Sequence, residues 1–305
     1  MSKEQRAKID AMLRAPAPAG PRSVEEIRSG FAALMDTMIV PEDIRTAEAT
    51  LGGRRALRVE PAGEPRPGTI LYFHGGSFVF GSPETALSLT GNLVARTGLT
   101  ALSLDYRLAP EHPFPAASDD SLEAYRALLE SGADPSAVAF AGDSAGGGLA
   151  VTTCLRARAA GLPMPAAIVA FSPGLDGTRT GESMRTKAAA DPILTREGLD
   201  HTGAMYFAGQ DPHQELISPA VLADLTGFPP MLLQVGTNEL LLDDSTRLAA
   251  RARAAGVDVV LDVTADVPHV FQCFAGVLNE ADQALDRAAL FLTQQVRLGN
   301  PNQRS

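Results

Sequence analysis

The sequence predicts an α/β protein, a mostly parallel central sheet with helices on both faces and a helical cap. Three observations carry this. From residue 69 onward, short apolar runs alternate with longer helical stretches. Those runs are apolar at consecutive positions, which marks strands buried on both faces. Segment 176–216 then breaks the rhythm: it is polar and Gly-rich, and helical from about Thr195 to Phe207, as an insertion after a sheet strand would be.

The strand runs are TILYF, TALSLDY, AVAFAG, AAIVAFS, PMLLQVG and VDVVLDVT. The helices between them fall near 84–97, 118–131, 145–160 and 243–255. Ahead of this core, two short runs at about 46–51 and 55–60 suit a hairpin. Two amphipathic helices precede them, joined by the linker APAPAGP at 15–21. The first carries Ile9, Met12 and Leu13. The second starts at Ser23 with Glu26 three residues on, a capping box, and presents Ile27, Phe31, Leu34, Met35 and Met38 at helical spacing. The expected organisation is therefore cap helices over 1–45 and a catalytic domain over 46–305. An insertion at about 176–216 would close over the carboxyl ends of the strands, where such sheets bind ligands.

Composition narrows the function. The formal net charge is −10, without Lys/Arg clusters, which argues against nucleic acid and anionic membranes as partners. Apolar runs fall short of the roughly 20 residues a spanning helix needs, so membrane insertion is not expected. The start MSKEQRAKID has no secretory character. Cys154 and Cys273 sit in apolar surroundings without CxxC or a paired His, the pattern of buried reduced thiols, and a cytoplasmic location suits them. With no HExxH and no spaced carboxylate cluster, neither metal nor other cofactor is expected.

The chemistry is carried by residues 142–146, GDSAG, lying between a strand and a helix. A G-x-S-x-G turn in that setting strains the backbone at the serine and exposes its hydroxyl, and so marks Ser144 as a nucleophile on an α/β-hydrolase sheet. The small residues Gly142, Ala145, Gly146 and Gly147 admit the sharp turn. Directly after TILYF comes HGGS at 74–77. Acyl transfer needs backbone N–H donors fixed in advance for the oxyanion. Gly76 and Ser77 are the donor candidates, with Gly75 as a further one, and the N–H of Ala145 completes the set. His74 reads as a loop-holding residue.

HGG at 74–76, DYRLAPEHPFPA at 105–116, GDSAGG at 142–147 and PHVF at 268–271 together resemble the bacterial hormone-sensitive-lipase-like esterases. The resemblance spans about residues 69–292. It implies hydrolysis of short-chain esters, no cofactor, and a cap built from the amino terminus plus an insertion. The family's usual oxyanion motif is HGGG, so Ser77 is a departure.

Chain order in this fold is serine, acid, histidine. Of five histidines only His269 follows a late strand, and it matches the family's histidine. The acid should lie just past PMLLQVG. Glu239 stands where the family usually has Asp, and Asp243 is the alternative. Asp105, Arg107 and Glu111 read as ion-paired scaffold, Asp191 before Pro192 as a turn, and Met35, Met38, Met184 and Met205 as pocket lining or cap core. The predicted activity is a serine carboxylesterase acting on a small-molecule ester. A deacetylase or amidase with the same triad, and a non-catalytic binding protein on the same fold, are the alternatives. The late strand VDVVLDVT should form a sheet edge, which makes a homodimer a candidate assembly.

Overall fold

A computed structural model describes residues 2–15 and 23–296. One eight-stranded sheet runs through them in the order β1-β2-β4-β3-β5-β6-β7-β8. The strands are β1 Ile44–Leu51, β2 Arg54–Pro61, β3 Thr69–Phe73, β4 Thr100–Leu104, β5 Val138–Asp143, β6 Ala167–Phe171, β7 Met231–Gly236 and β8 Val259–Thr264. From β4 to β8 all neighbours are parallel. The hairpin β1–β2 forms as expected and adds an antiparallel margin by pairing β2 with β4. The strand VDVVLDVT is the far edge.

Each central strand feeds two cores because its side chains alternate between faces. Leu71 and Phe73 of β3 and Phe140 of β5 meet α4 (Ala116–Glu130), α5 (Ala145–Ala159) and α9 (Leu242–Ala254) on one face. Ile70 and Tyr72 of β3 with Ala139 and Ala141 of β5 meet α3 (Leu87–Thr97) and α10 (Asn279–Gln295) on the other. α10 stands outside the helices expected from the sequence; its buried face carries Ala281, Ala284, Leu285, Ala288 and Leu292.

At the amino terminus α1 (Ser2–Leu13) and α2 (Val24–Met35) both form, and Ser23 and Glu26 make the capping box in both directions. Residues 16–21 of the predicted linker lie outside the described residues. α2 buries no residue of its own and is held by polar anchors. Arg28 reaches the carbonyls of Val79 and Ala109 and pairs with Glu111, and Phe31 packs edge-on to Phe80. Between β6 and β7 the chain makes α6 (Ser183–Thr186), α7 (Arg196–Phe207) and α8 (Pro219–Leu222). Among the described residues no helix is long and apolar enough to cross a membrane.

Candidate active site

Ser144 stands between the last residue of β5 and the first of α5, with φ 52 and ψ −119. A non-glycine residue held there costs on the order of 1–3 kcal/mol, a strain that the surrounding structure must over-determine. It does so by close packing. Gly146 lies so near the β3 end that an added Cβ would meet the Phe73 carbonyl oxygen at 1.9 Å. The amide of Ser144 donates to Phe171 O and its carbonyl accepts from Gly148 and Gly174. The turn aims the start of α5 at the hydroxyl, where the helix carries roughly half a positive charge.

The Ser144 Oγ lies 2.9 Å from Nε2 of His269, and Nδ1 of the same ring lies 2.9 Å from Oε2 of Glu239. Glu239 is fully buried and His269 is 5% exposed, so the inner part of this chain of contacts is shielded from solvent. Burial lowers the imidazole pKa, but the hydrogen bond and charge of Glu239, with the charges of Asp191 and Asp143, outweigh it and raise the pKa above the ordinary 6.5. The free oxygen of Glu239, Oε1, accepts from Ser172 Oγ at 2.9 Å and from the Gly236 amide. Asp243, the alternative acid, faces away: it caps Ser183, accepting its N–H at 2.9 Å. Asp244 also leaves the histidine alone and holds the backbone of Leu175 and Asp176.

Beside Ser144 the HGGS loop turns through three consecutive positive φ values, 120 at Gly76, 52 at Ser77 and 62 at Phe78. At Gly76 a Cβ would meet Phe80 O at 2.0 Å, so only glycine fits. Ser77 adopts a left-handed conformation that its Cβ tolerates at a cost, which is why glycine is usual there. The N–H groups of Gly76, Ser77 and Ala145 make no hydrogen bond among the described residues. The N–H of Gly75 is committed, donating to Asp143 Oδ1 at 3.1 Å. That commitment withdraws Gly75 from the donor candidates and makes it an anchor. His74 holds the loop as the sequence suggests. Its ring stacks on Tyr106 and its Nδ1 contacts the Gly75 carbonyl, while burial drives its pKa down to about 4 and keeps it neutral.

Ser144 opens into a cavity of about 760 Å³ including its mouth. Ser77, Phe78, Gly148, Leu149 and Leu241 form part of its wall, and Leu199, Gly203, Tyr206 and Phe207 of α7 form another. Phe78 stacks face to face on Tyr206 at 3.8 Å, joining the HGGS loop to the segment between β6 and β7.

The profile of a family described as the alpha/beta hydrolase fold matches residues 70–273. An acetyl-hydrolase of Streptomyces hygroscopicus is 43% identical over 243 residues, 80% of this chain and 81% of its own. An esterase of Acinetobacter venetianus is 39% identical over 226 residues, 73% of this chain and 74% of its own. The crystal structure of an esterase from the bacterial hormone-sensitive lipase family is similar with a TM-score of 0.92 at 41% identity, covering 96% of this chain and 99% of that one.

The chain belongs to the bacterial hormone-sensitive-lipase-like esterases. It is a carboxylic ester hydrolase on the α/β-hydrolase fold.

In this esterase the residues that motif reading sets aside have structural posts. Arg107 forks onto Asp120, Asp105 pairs with Arg55 and Glu111 with Arg28. Of the four methionines only Met184 lines the cavity; Met205 packs on one core and Met35 and Met38 on the other. Three supporting residues escape motif reading. Ser172 bridges Glu239 and the Val270 amide. Asp143 accepts from Tyr72 Oη and Gly75 N. Asp191 does make the expected turn, accepting from Ile193 and Leu194, and its second oxygen takes the Leu240 amide next to Glu239. The post of Ser172 comes from the sheet. Strand register sets Asp143 beside Phe171, so Ser144 and Ser172 leave neighbouring strands at one level.

Proposed function

We propose that the esterase hydrolyses short-acyl carboxylic esters through an acyl-enzyme. In this reading Ser144 is the nucleophile, His269 the base, Glu239 the orienting acid, and the N–H groups of Gly76, Ser77 and Ala145 the oxyanion donors. The observation that carries it is the unbroken contact chain Ser144–His269–Glu239 at the floor of a cavity. Ser144 Oγ attacks the ester carbonyl as Nε2 of His269 takes its proton. The oxyanion that forms is held by donors fixed before the reaction. Glu239 keeps Nδ1 as the protonated nitrogen and stabilises the imidazolium. His269 returns the proton to the departing alcohol, and the acyl group stays on Ser144. Water then gives its proton to His269, attacks the acyl-enzyme and releases the acid, restoring the Ser144 hydroxyl.

The preference for short acyl groups is supported by the compact cavity, closed on one side by α7, and by relatives named acetyl-hydrolase and esterase. We read α1, α2 and the segment 176–216 as one cap. Arg14, just past α1, reaches the carbonyls of Ala189 and Ala190 and supports that grouping. A cytoplasmic setting is supported by the two buried free thiols, Cys154 and Cys273. A homodimer across β8 is supported by that strand's edge position and the exposed Val260 and Val263, while Asp262 is turned aside onto Arg287. Light scattering giving a monomer mass at micromolar concentration would remove the dimer.

The experiment that tests the reaction is turnover of p-nitrophenyl esters of graded acyl length, with matched anilides, by the wild type and Ser144→Ala. Butyrate should be cleaved faster than long-chain esters and far faster than the anilide. The Ala variant should lose roughly a million-fold in kcat. A Ser144→Ala variant with a tenth of the wild-type rate defeats the assignment, and anilides turned over as fast as esters make the enzyme an amidase.

A further inference from the structure

The cavity runs from Ser144 along one face of α5, past Ala145, Gly148 and Leu149 to Thr152, roughly 12 Å for eight residues of helix. Its walls are largely apolar, yet one end carries Asp176, Arg179, Thr202 and Asp244. Cleavage at Ser144 gives these groups no task.

Asp244 is 2% exposed. Its Oδ2 accepts the N–H of Leu175 at 2.7 Å and of Asp176 at 2.9 Å, whereas Oδ1 makes no hydrogen bond among the described residues, and the residue lines the cavity. Arg179 has a side chain 13% exposed and spends donors on Asp200 and on the Leu199 carbonyl. A guanidinium has five N–H groups, so donor capacity is left over. Asp176 is saturated by Thr178, Thr180 and Arg247. The unmet capacity at this end is therefore one carboxyl oxygen and the spare guanidinium N–H groups.

These groups lie close to the nucleophile. Gly174 N donates to Ser144 O at 3.0 Å, and the next residue, Leu175, donates to Asp244. Ser144 and Asp244 therefore hold neighbouring residues of one segment, and both line the same cavity.

We propose that this end of the cavity is a polar acyl subsite, in which Asp244 and Arg179 receive a neutral oxygen substituent, a hydroxyl or oxo group, on a short acyl chain. The inference rests on Ser144 as nucleophile and narrows the substrate class of that site. Neutral oxygen is the substituent that the charges select. Burial pushes the Asp244 carboxyl up to about 8 against the pull of its two backbone N–H partners and Arg247, with Asp176 pushing the same way as burial. Burial thus favours the protonated carboxyl, which can donate a hydrogen bond from its free oxygen. The charges at this end are already matched, Arg179 with Asp200 and Arg247 with Asp176, so a charged substituent would enter with no counter-charge free to pair with it. A plain alkyl chain would leave Oδ1 and the guanidinium facing hydrocarbon, and polar groups left unpaired are what such sites discriminate against.

The test compares kcat/KM for p-nitrophenyl 3-hydroxybutyrate against butyrate, and 4-oxopentanoate against pentanoate. The proteins are the wild type, Asp244→Ala, Asp244→Asn and Arg179→Met. The wild type should favour the oxygen-bearing chain about tenfold or more, the effect of one well-made hydrogen bond. Asp244→Ala and Arg179→Met should bring the ratio toward one, while Asp244→Asn, which keeps an N–H donor, should retain the oxo preference. The ratio is read within each variant, so partial misfolding that slows both esters leaves it unmoved. A wild-type ratio at or below one, or a ratio that neither Asp244→Ala nor Arg179→Met moves, overturns the subsite. Butyrate turnover that survives Ser144→Ala would instead overturn the nucleophile beneath it.

Discussion

Ser172 Oγ donates to Glu239 Oε1 at 2.9 Å and accepts the Val270 amide at 3.0 Å, so one buried hydroxyl ties the loop of the acid to the loop of the histidine. Hydrogen bonds to charged groups are worth about 1.5–3 kcal/mol. Ser172→Ala should therefore lower kcat by roughly ten- to a hundred-fold, with KM changed little and the fold retained by circular dichroism. Unchanged kcat would mean that the Gly236 amide alone orients Glu239.

The pH profile follows from His269. Only the neutral imidazole accepts the Ser144 proton, and its pKa is raised above 6.5 by Glu239 and the charges behind it. The acidic limb of kcat/KM should accordingly have its midpoint above 6.5, with activity lost as pH falls through it. Removing the Glu239 charge removes the main raising influence. Glu239→Gln should move the midpoint downward while cutting kcat severely, since a comparable acid-to-amide change in a serine protease costs about ten-thousand-fold. A midpoint that stays put in this variant would separate Glu239 from the histidine.

Asp243 provides the contrast. It stands in the first turn of α9 and exchanges hydrogen bonds with Ser183. Asp243→Asn should cost of order 1 kcal/mol of stability through weaker support of the helix start and leave ester turnover within a few-fold. Thermal unfolding and rates on one ester check both halves; a nearly dead Asp243→Asn beside an active Glu239→Gln would reverse the assignment.

The proposed oxyanion donors are predicted to depend on Asp143, whose Oδ1 gathers Tyr72 Oη at 2.8 Å and Gly75 N at 3.1 Å. Asp143→Asn keeps an acceptor oxygen and should retain most activity. Asp143→Ala releases Gly75, and should lose at least about tenfold in kcat, as misplaced donors do. Equal rates for the two variants would show that the loop is held by His74 and Tyr106 alone.

Local signals made much of this legible before any coordinates. The parallel sheet shows in strands apolar at consecutive positions, Ser144 in a strand–turn–helix context, and the start of α2 in the Ser23–Glu26 box. What escaped depends on contacts between residues far apart in sequence. The sequence favours Glu239 with Asp243 as the alternative, but the contact of Glu239 with His269 appears only where the residues after β7 fold back, since both are acids in one stretch. The commitment of Gly75 N requires Asp143, 68 residues away. Ser172 and Asp191 have ordinary loop composition, and their posts appear only once β5 and β6 stand in register and the segment after β6 returns to Leu240.

The central claim is that Ser144 is the nucleophile, activated by its 2.9 Å contact with His269. Treatment with a fluorophosphonate, followed by peptide mass analysis, tests it most directly. One adduct per chain on the peptide containing Ser144, absent from His269→Ala over the same interval, is the predicted result. An adduct on another residue, or inhibition with Ser144 unmodified, would contradict it.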